Sequence, residues 1–263
     1  MNTKSLSNNN TQTVDSNSHP NSGLQSEVLQ ISFETRNYSS EELLRYVLKR
    51  FGNKIALASS FGAEDQVLTD MLCKISPDAK IFTLDTGRLP EETYKVAEAT
   101  RKKYNIRIRV LFPDYHQIEK MVGKYGFNLF YDSVENRKLC CQVRKTEPLK
   151  RELSTLDAWI CGLRKEQSPT RSDINAVEWD KAFGLIKICP LINWSEKDVW
   201  KYIKDNDVPY NELHDRGYPS IGCEPCTRAI CAGEDIRAGR WWWELPEHKE
   251  CGLHAKRAPD YQI

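Results

Sequence analysis

The sequence predicts an α/β protein: a parallel, twisted sheet with flanking helices, followed by an irregular C-terminal segment. Three observations carry that expectation. Five short runs rich in β-formers, Ile55-Ala56-Leu57-Ala58, Ile81-Phe82-Thr83-Leu84, Ile108-Arg109-Val110-Leu111-Phe112, Ala158-Trp159-Ile160-Cys161 and Leu185-Ile186-Lys187-Ile188, alternate with helical patterns, the signature of βαβ units. Beyond residue 195 the strand signals cease, leaving Gly, Pro, Trp and Cys in short elements. The 263 residues, 40% of them apolar and with formal net charge +1, suffice for one substantial core.

Taken in order, residues 1–24 are mostly Ser, Asn, Thr, Gln and Pro, too poor in apolar surface to offset the entropy of ordering, and are expected to form a disordered tail. Residues 25–263 are expected to form one α/β domain. Ser39-Ser40-Glu41-Glu42 opens an amphipathic helix carrying Leu43, Leu44, Val47 and Leu48, which Gly52 stops. An apolar helix through Val67, Leu68, Met71 and Leu72 joins the first two strands, and a charged one through Tyr94, Val96 and Ala97 joins the next two, both right-handed crossovers by default. Ser195-Glu196-Lys197-Asp198 caps a further helix. No internal repeat is apparent.

Composition excludes several classes. Near-neutral charge argues against nucleic-acid binding, which favours a strongly basic face, and points to a small anionic partner. No apolar run approaches the roughly 18 residues of a membrane span, and the N-terminus lacks a hydrophobic signal core, so a cytoplasmic protein is expected. Nine cysteines, an odd number, fit metal or redox use in a reducing compartment better than a disulfide framework.

The cysteines carry the chemistry. Cys140-Cys141 and Cys223-x-x-Cys226 read as four thiolate ligands of one inorganic site, and Cys251, in Glu250-Cys251-Gly252-Leu253-His254, as a nucleophile. Neighbouring ligands fit an iron-sulfur cluster, with separate iron corners, better than one zinc ion, which remains the alternative. Lys249, His248 and His254 favour a thiolate at Cys251, opposed by Glu250. Cys73, Cys161 and Cys189 read as small core residues, and Cys231 as a replacement ligand or oxidation site. The turn Ser59-Ser60-Phe61-Gly62-Ala63-Glu64-Asp65 opens a helix at a strand's carboxyl end, and the second strand ends in Leu84-Asp85-Thr86-Gly87-Arg88-Leu89-Pro90. Two such loops side by side suggest a nucleotide crevice. Trp241-Trp242-Trp243 reads as packing of a small lobe rather than a stacking platform.

Seven segments in this order, Ser59 to Glu64, Leu84 to Gly87, Cys140 to Lys145, Gly162 to Arg164, Cys223 to Thr227, Arg237 to Trp241 and Glu250 to His254, resemble the adenylyl-sulfate/phosphoadenylyl-sulfate reductase family across about residues 40 to 255. The cysteine pair with Cys-x-x-Cys resembles its iron-sulfur branch, which uses adenylyl sulfate (APS) rather than the 3′-phosphorylated form (PAPS). The resemblance implies an adenine nucleotide alpha hydrolase-like fold. It implies a 4Fe-4S cluster on Cys140, Cys141, Cys223 and Cys226, and a catalytic Cys251 within a C-terminal segment spanning 240–263. Substrate contacts are implied at Ser59, Ser60, Phe61, Gly62, Leu84, Asp85, Thr86, Gly87, Lys145, Gly162, Arg164, Arg171, Arg237, Arg240 and His254.

The chain departs from the Ser-Gly-Gly-x-Asp-Ser loop of related pyrophosphatases. Ser60-Phe61-Gly62-Ala63-Glu64 stands in its place, with an acidic residue and no double glycine, which favours a phosphosulfate over a triphosphate. The expected reaction is reduction of APS to sulfite and AMP through a cysteine thiosulfonate, with thioredoxin or glutaredoxin as donor, in sulfate assimilation and cysteine biosynthesis. A homo-oligomer is compatible with it. Alternatives are PAPS reduction, alone or with APS, and a zinc-bearing nucleotide-binding regulatory protein.

Overall fold

In a computed structural model, residues 22–167 and 174–245 are described. The expected tail lies outside them except for residues 22–24. Helix α1 (Ser22–Glu34) opens the described chain, without a cap or a clear apolar stripe to announce it. Its Ile31 is fully buried, and Ser32 Oγ donates to the Val177 carbonyl at 3.4 Å. Helix α2 (Ser40–Phe51) starts at a capping box: Ser39 Oγ accepts from the Glu42 amide, and Glu42 accepts from the Ser39 amide at 2.7 Å. It stops at Gly52, whose φ of +52° suits glycine.

Strand β1 (Ile55–Ala58), helix α3 (Ala63–Ile75), strand β2 (Ile81–Leu84), helix α4 (Glu91–Tyr104) and strand β3 (Arg109–Leu111) follow as βαβ units. Helices α5 (Tyr115–Tyr125) and α6 (Val134–Cys141) come next, then a π-helical turn (Gln142–Thr146) and α7 (Glu147–Leu153). Strand β4 (Ala158–Ile160) precedes a hairpin of β5 (Val177–Asp180) and β6 (Leu185–Ile188), and α8 (Glu196–Asp205) closes the regular part.

The strand order is β3-β2-β1-β4-β6-β5. All neighbours are parallel except β5 and β6, which pair antiparallel. Each of the five expected runs forms a strand; β5 was not expected. Val177-Glu178-Trp179-Asp180 carries two carboxylates, which depress β-propensity. It is an edge strand held by its hairpin, with Asp180 Oδ1 accepting from the Ala182 and Phe183 amides.

Alternate side chains separate the two faces. Ile55, Leu57, Ala158, Ile160, Ile186 and Ile188 pack with α1, α2, α3 and α8. Ala56, Phe82, Trp159 and Leu185 pack against Leu149 and Leu153 of α7, the period-2 alternation of a strand covered on both sides. The third cluster is smaller and joins Met121, Leu129, Phe130, Leu139 and Val143 to Cys140, Cys223, Cys226 and Trp241. Among the described residues no helix is long and apolar enough to cross a membrane.

Candidate functional site

Neighbours of β1 leave in opposite directions, β2 on one side and β4 on the other, so the crevice of an open sheet falls at their carboxyl ends. A cavity of about 700 Å³ lies there, lined by Ser59, Ser60, Gly62, Leu84, Thr86 and Gly162, within the size range of nucleotide sites. Lys145, Arg164, Arg237 and Arg240 also line it.

The first turn is held from inside. Asp65 Oδ2 accepts from both the amide and the hydroxyl of Ser60 at 2.7 Å, and Ser59 Oγ accepts from the Phe61 amide. Phe61 takes a left-handed φ of +59°, costly for a bulky residue and sustained here by the surrounding bonds. Burial pushes the Asp65 carboxyl up to about 6, against the hydrogen bonds from Ser60. Gly162 permits the β4 loop to meet this turn: a Cβ there would stand 2.6 Å from Asp65 Oδ1 and 2.8 Å from Glu64 Cβ.

Arg164 is 2% exposed, and its Nε donates to Glu64 Oε1 at 2.8 Å. The acidic residue of the turn is thereby neutralised, and this guanidinium enters the cavity wall already paired. Phe61, Asp85 and Gly87 do not line the cavity. Phe61 is buried, while Asp85 braces its own loop by accepting from the Gly87 amide and the Tyr94 hydroxyl. Arg171, Cys251 and His254 lie outside the described residues.

A second, small cavity is lined by all four predicted ligands, Cys140, Cys141, Cys223 and Cys226, together with Arg88, Arg137, Arg144 and Lys145. Its thiols come from three places: the end of α6, the π-helical turn's N-cap, and the short helix Glu224–Cys226 with its N-cap Cys223. Thr86 Oγ1 and Cys223 Sγ share a hydrogen bond at 3.2 Å. The Glu224 amide donates to the Arg88 carbonyl at 2.8 Å, so the β2 loop is the seam between both cavities. Burial pushes the Cys226 thiol up to about 12, with Cys223 adding and Lys145 opposing, and raises Cys140 as well, against Arg144. Such thiols keep their protons until a cation displaces them.

Two buried donors beside the thiols, Arg144 Nε and Trp241 Nε1, have no hydrogen-bond partner. Arg144 also donates through Nη1 to the Thr86 carbonyl at 2.7 Å. Four thiols, cationic walls and orphaned N–H groups make a donor set that fits an anionic metal-sulfur group, whose sulfurs accept hydrogen bonds. Among the described residues, no three His, Cys, Asp or Glu side chains close on one point as ligands of a single metal ion. Cys231 is exposed and lines neither cavity, while Cys161 and Cys189 are buried with sulfurs 3.5 Å apart.

Three cavity features were not read from the sequence. Trp200 of α8 and His214 beyond it, whose basicity is lowered by burial, line the wall; a lone His after a helix carries no signal of its own. Gly222 leaves room for Arg240, because a Cβ there would meet its guanidinium at 2.2 Å. Trp241 also belongs to both neighbourhoods, lining the large cavity while packing with the cysteines. Trp243 packs on Tyr131, centroids 4.5 Å apart.

Residues 54–229 match the family model described as "Phosphoadenosine phosphosulfate reductase domain". The chain is 54% identical over 222 residues to an adenosine 5'-phosphosulfate reductase of Allochromatium vinosum, covering 84% of this chain and 86% of that one. It is 45% identical over 227 residues to the chloroplastic 5'-adenylylsulfate reductase 3 of Arabidopsis thaliana, covering 83% of this chain and 49% of that protein. Among solved structures, phosphoadenylyl-sulfate reductase from Candida auris in a phosphate complex aligns with TM-score 0.66 and 28% identity, over 78% of this chain and 97% of that one. The FMN adenylyltransferase of Candida glabrata aligns at TM-score 0.52 and 16% identity, covering 90% of this chain and 85% of that one, a likeness of fold alone.

Proposed function

The chain belongs to the phosphoadenosine phosphosulfate reductase family, and on that premise we propose that it reduces APS to sulfite and AMP through a covalent adduct on Cys251. APS reduction is the reaction for which relatives at 44 to 54% identity are named. The observation that carries the reading is a shared wall: Lys145 lines both the nucleotide-sized cavity and the four-thiol cavity.

The Cys251 thiolate attacks the sulfur of the phosphate-sulfate anhydride, the S–O bond breaks, and AMP leaves with that electron pair. The sulfonate is then bonded to the cysteine sulfur. A dithiol of the thioredoxin or glutaredoxin class attacks that sulfur, releases sulfite and supplies both electrons as it becomes a disulfide. Amides at the start of α3, with Lys145, Arg237 and Arg240, offset the charge that builds on the phosphosulfate. Arg164 acts at one remove by neutralising Glu64 beside that anion.

Cys140, Cys141, Cys223 and Cys226 would hold a 4Fe-4S cluster, whose bound charge supplies an electrostatic and structural element rather than reducing electrons. The adjacent Cys140 and Cys141 suit the separate iron corners of a cluster better than one zinc ion. Lys145 faces both occupants, so it couples their charges. We place the reaction in the cytoplasm, in sulfate assimilation leading to cysteine.

The deciding assay is sulfite release by anaerobically purified protein with thioredoxin, with APS and PAPS compared at equal concentration. Preference for APS supports this reading; comparable rates support dual use, which the 28% likeness to a PAPS reductase keeps as the second reading. No sulfite from either substrate, with iron intact, refutes both.

A further inference from the structure

Gly222 is a glycine that its own backbone does not require. Its φ lies outside the left-handed region, unlike that of Gly217 at +82°, so an L-residue could adopt the local conformation. What excludes a side chain is Arg240. A Cβ on Gly222 would stand 2.2 Å from Nη2, 2.5 Å from Cζ and 2.9 Å from Nη1 of that guanidinium, all well inside the roughly 3.5 Å of ordinary contact.

The guanidinium is held where it stands. Arg240 is 8% exposed, its Nη1 donates to the Ile221 carbonyl at 3.2 Å and to Ser220 Oγ at 3.5 Å, and its Cζ lies over the Trp241 ring, 4.9 Å from the centroid. The loop is fixed as well. The Gly222 amide donates to Thr227 Oγ1 at 3.2 Å, that hydroxyl donates to the Cys223 carbonyl at 2.9 Å, and Thr227 forms an antiparallel bridge with Arg240. One threonine ties the backbone on both sides of the contact, so a methyl group at position 222 displaces the guanidinium rather than the chain. Gly222 and Arg240 both line the nucleotide-sized cavity.

We propose that Gly222 is a positioning residue, whose bare Cα seats the Arg240 guanidinium in the cavity wall against the anionic end of the nucleotide. The inference rests on the reading of that cavity as the nucleotide site with Arg240 as an anion contact. Filling the space at position 222 weakens the hold on the charged end and leaves the nucleoside its contacts with the loops after β1, β2 and β4.

The test measures binding of adenosine and of ADP to anaerobically purified Gly222→Ala protein; the second phosphate of ADP stands in for the sulfate of APS and offers no sulfur to attack. ADP affinity falls about tenfold, as for loss of one charge-assisted contact, while adenosine affinity stays within about twofold and iron content matches the parent. Arg240→Ala shows the same selective loss, and adding Gly222→Ala to it costs nothing further, because no guanidinium remains to be displaced. If Gly222→Ala alone fails to fold or to retain iron, the double variant restores both to the level of Arg240→Ala. Parental ADP affinity in Gly222→Ala overturns the proposal, as does equal loss of ADP and adenosine affinity, or a double variant weaker than Arg240→Ala. The two readings separate at Arg240→Ala: parental ADP affinity there refutes the anion contact itself, whereas a loss there without one in Gly222→Ala removes only the role of Gly222.

Discussion

The sheet half and the cysteine lobe are stabilised by different means. In the sheet half, buried aliphatic side chains cover both faces of β1, β4 and β6 and interlock with five helices. The cysteine lobe has a small apolar cluster, a buried Arg137–Glu244 ion pair, raised thiols at Cys140 and Cys226 and unpartnered donors at Arg144 and Trp241. Apolar burial is favourable on its own, at about 1.5–3 kcal/mol per large side chain, whereas buried charges and orphaned N–H groups are costly until a partner arrives. The sheet half carries such groups too, at Asp65, Gln66 and the Arg164–Glu64 pair, but sets them in extensive aliphatic packing, whereas in the cysteine lobe they gather around the four thiols.

The largest effect is expected at the nucleophile. Cys251→Ser should lower turnover at least about a thousandfold while melting and iron content stay parental; a stability loss in step with activity would make Cys251 part of the scaffold.

Paired variants sharpen it next. Leu57→Ala, at a fully buried position of β1, should cost about 3 kcal/mol in denaturant unfolding and leave the iron per folded chain unchanged. Cys226→Ser should do the converse, losing iron and the near-ultraviolet signal of the lobe's tryptophans while the far-ultraviolet signal of the sheet persists. If Cys226→Ser unfolded both regions together, their independence would be refuted.

Asp65 gives a pH-dependent contrast. Its folded value of about 6 lies above the unfolded carboxylate value of about 3.9, so the folded state binds the proton more tightly. Stability from this group is fully present below pH ~4, is lost as pH rises towards 6, and is flat above. The Asp65→Asn protein should therefore lack a fall on the order of 3 kcal/mol between those limits; identical pH profiles for the two proteins would contradict the burial argument. The smallest effect belongs to the bridge between regions. Lys145→Ala should reduce kcat/KM about tenfold, or about 1.4 kcal/mol, with iron retained, and normal kinetics would remove its coupling role.

How much of this was legible follows the same division. Local signals reported the sheet half: the five apolar runs are strands, and the Ser39 and Ser195 capping boxes open α2 and α8. Strand β5 and helix α1 escaped because each is stabilised by pairing or docking rather than by its own pattern. In the lobe, ligand spacing announced the four thiols, but Arg137 and Glu244 are 107 residues apart and neither carries a motif of its own. The Gly222 clearance for Arg240 is likewise a property of three-dimensional approach. Arg164 lines the cavity, as its residue type suggested, but no local pattern announces that it is also paired with Glu64.

The most direct measurement is a stoichiometric one. Anaerobic protein is mixed with excess APS and no dithiol, AMP is counted, and the sulfonated peptide is mapped by mass. The account predicts one AMP per chain, with the sulfonate on Cys251 and sulfite appearing only when thioredoxin is added. AMP release that requires the dithiol from the outset, or an adduct on any other cysteine, would contradict it.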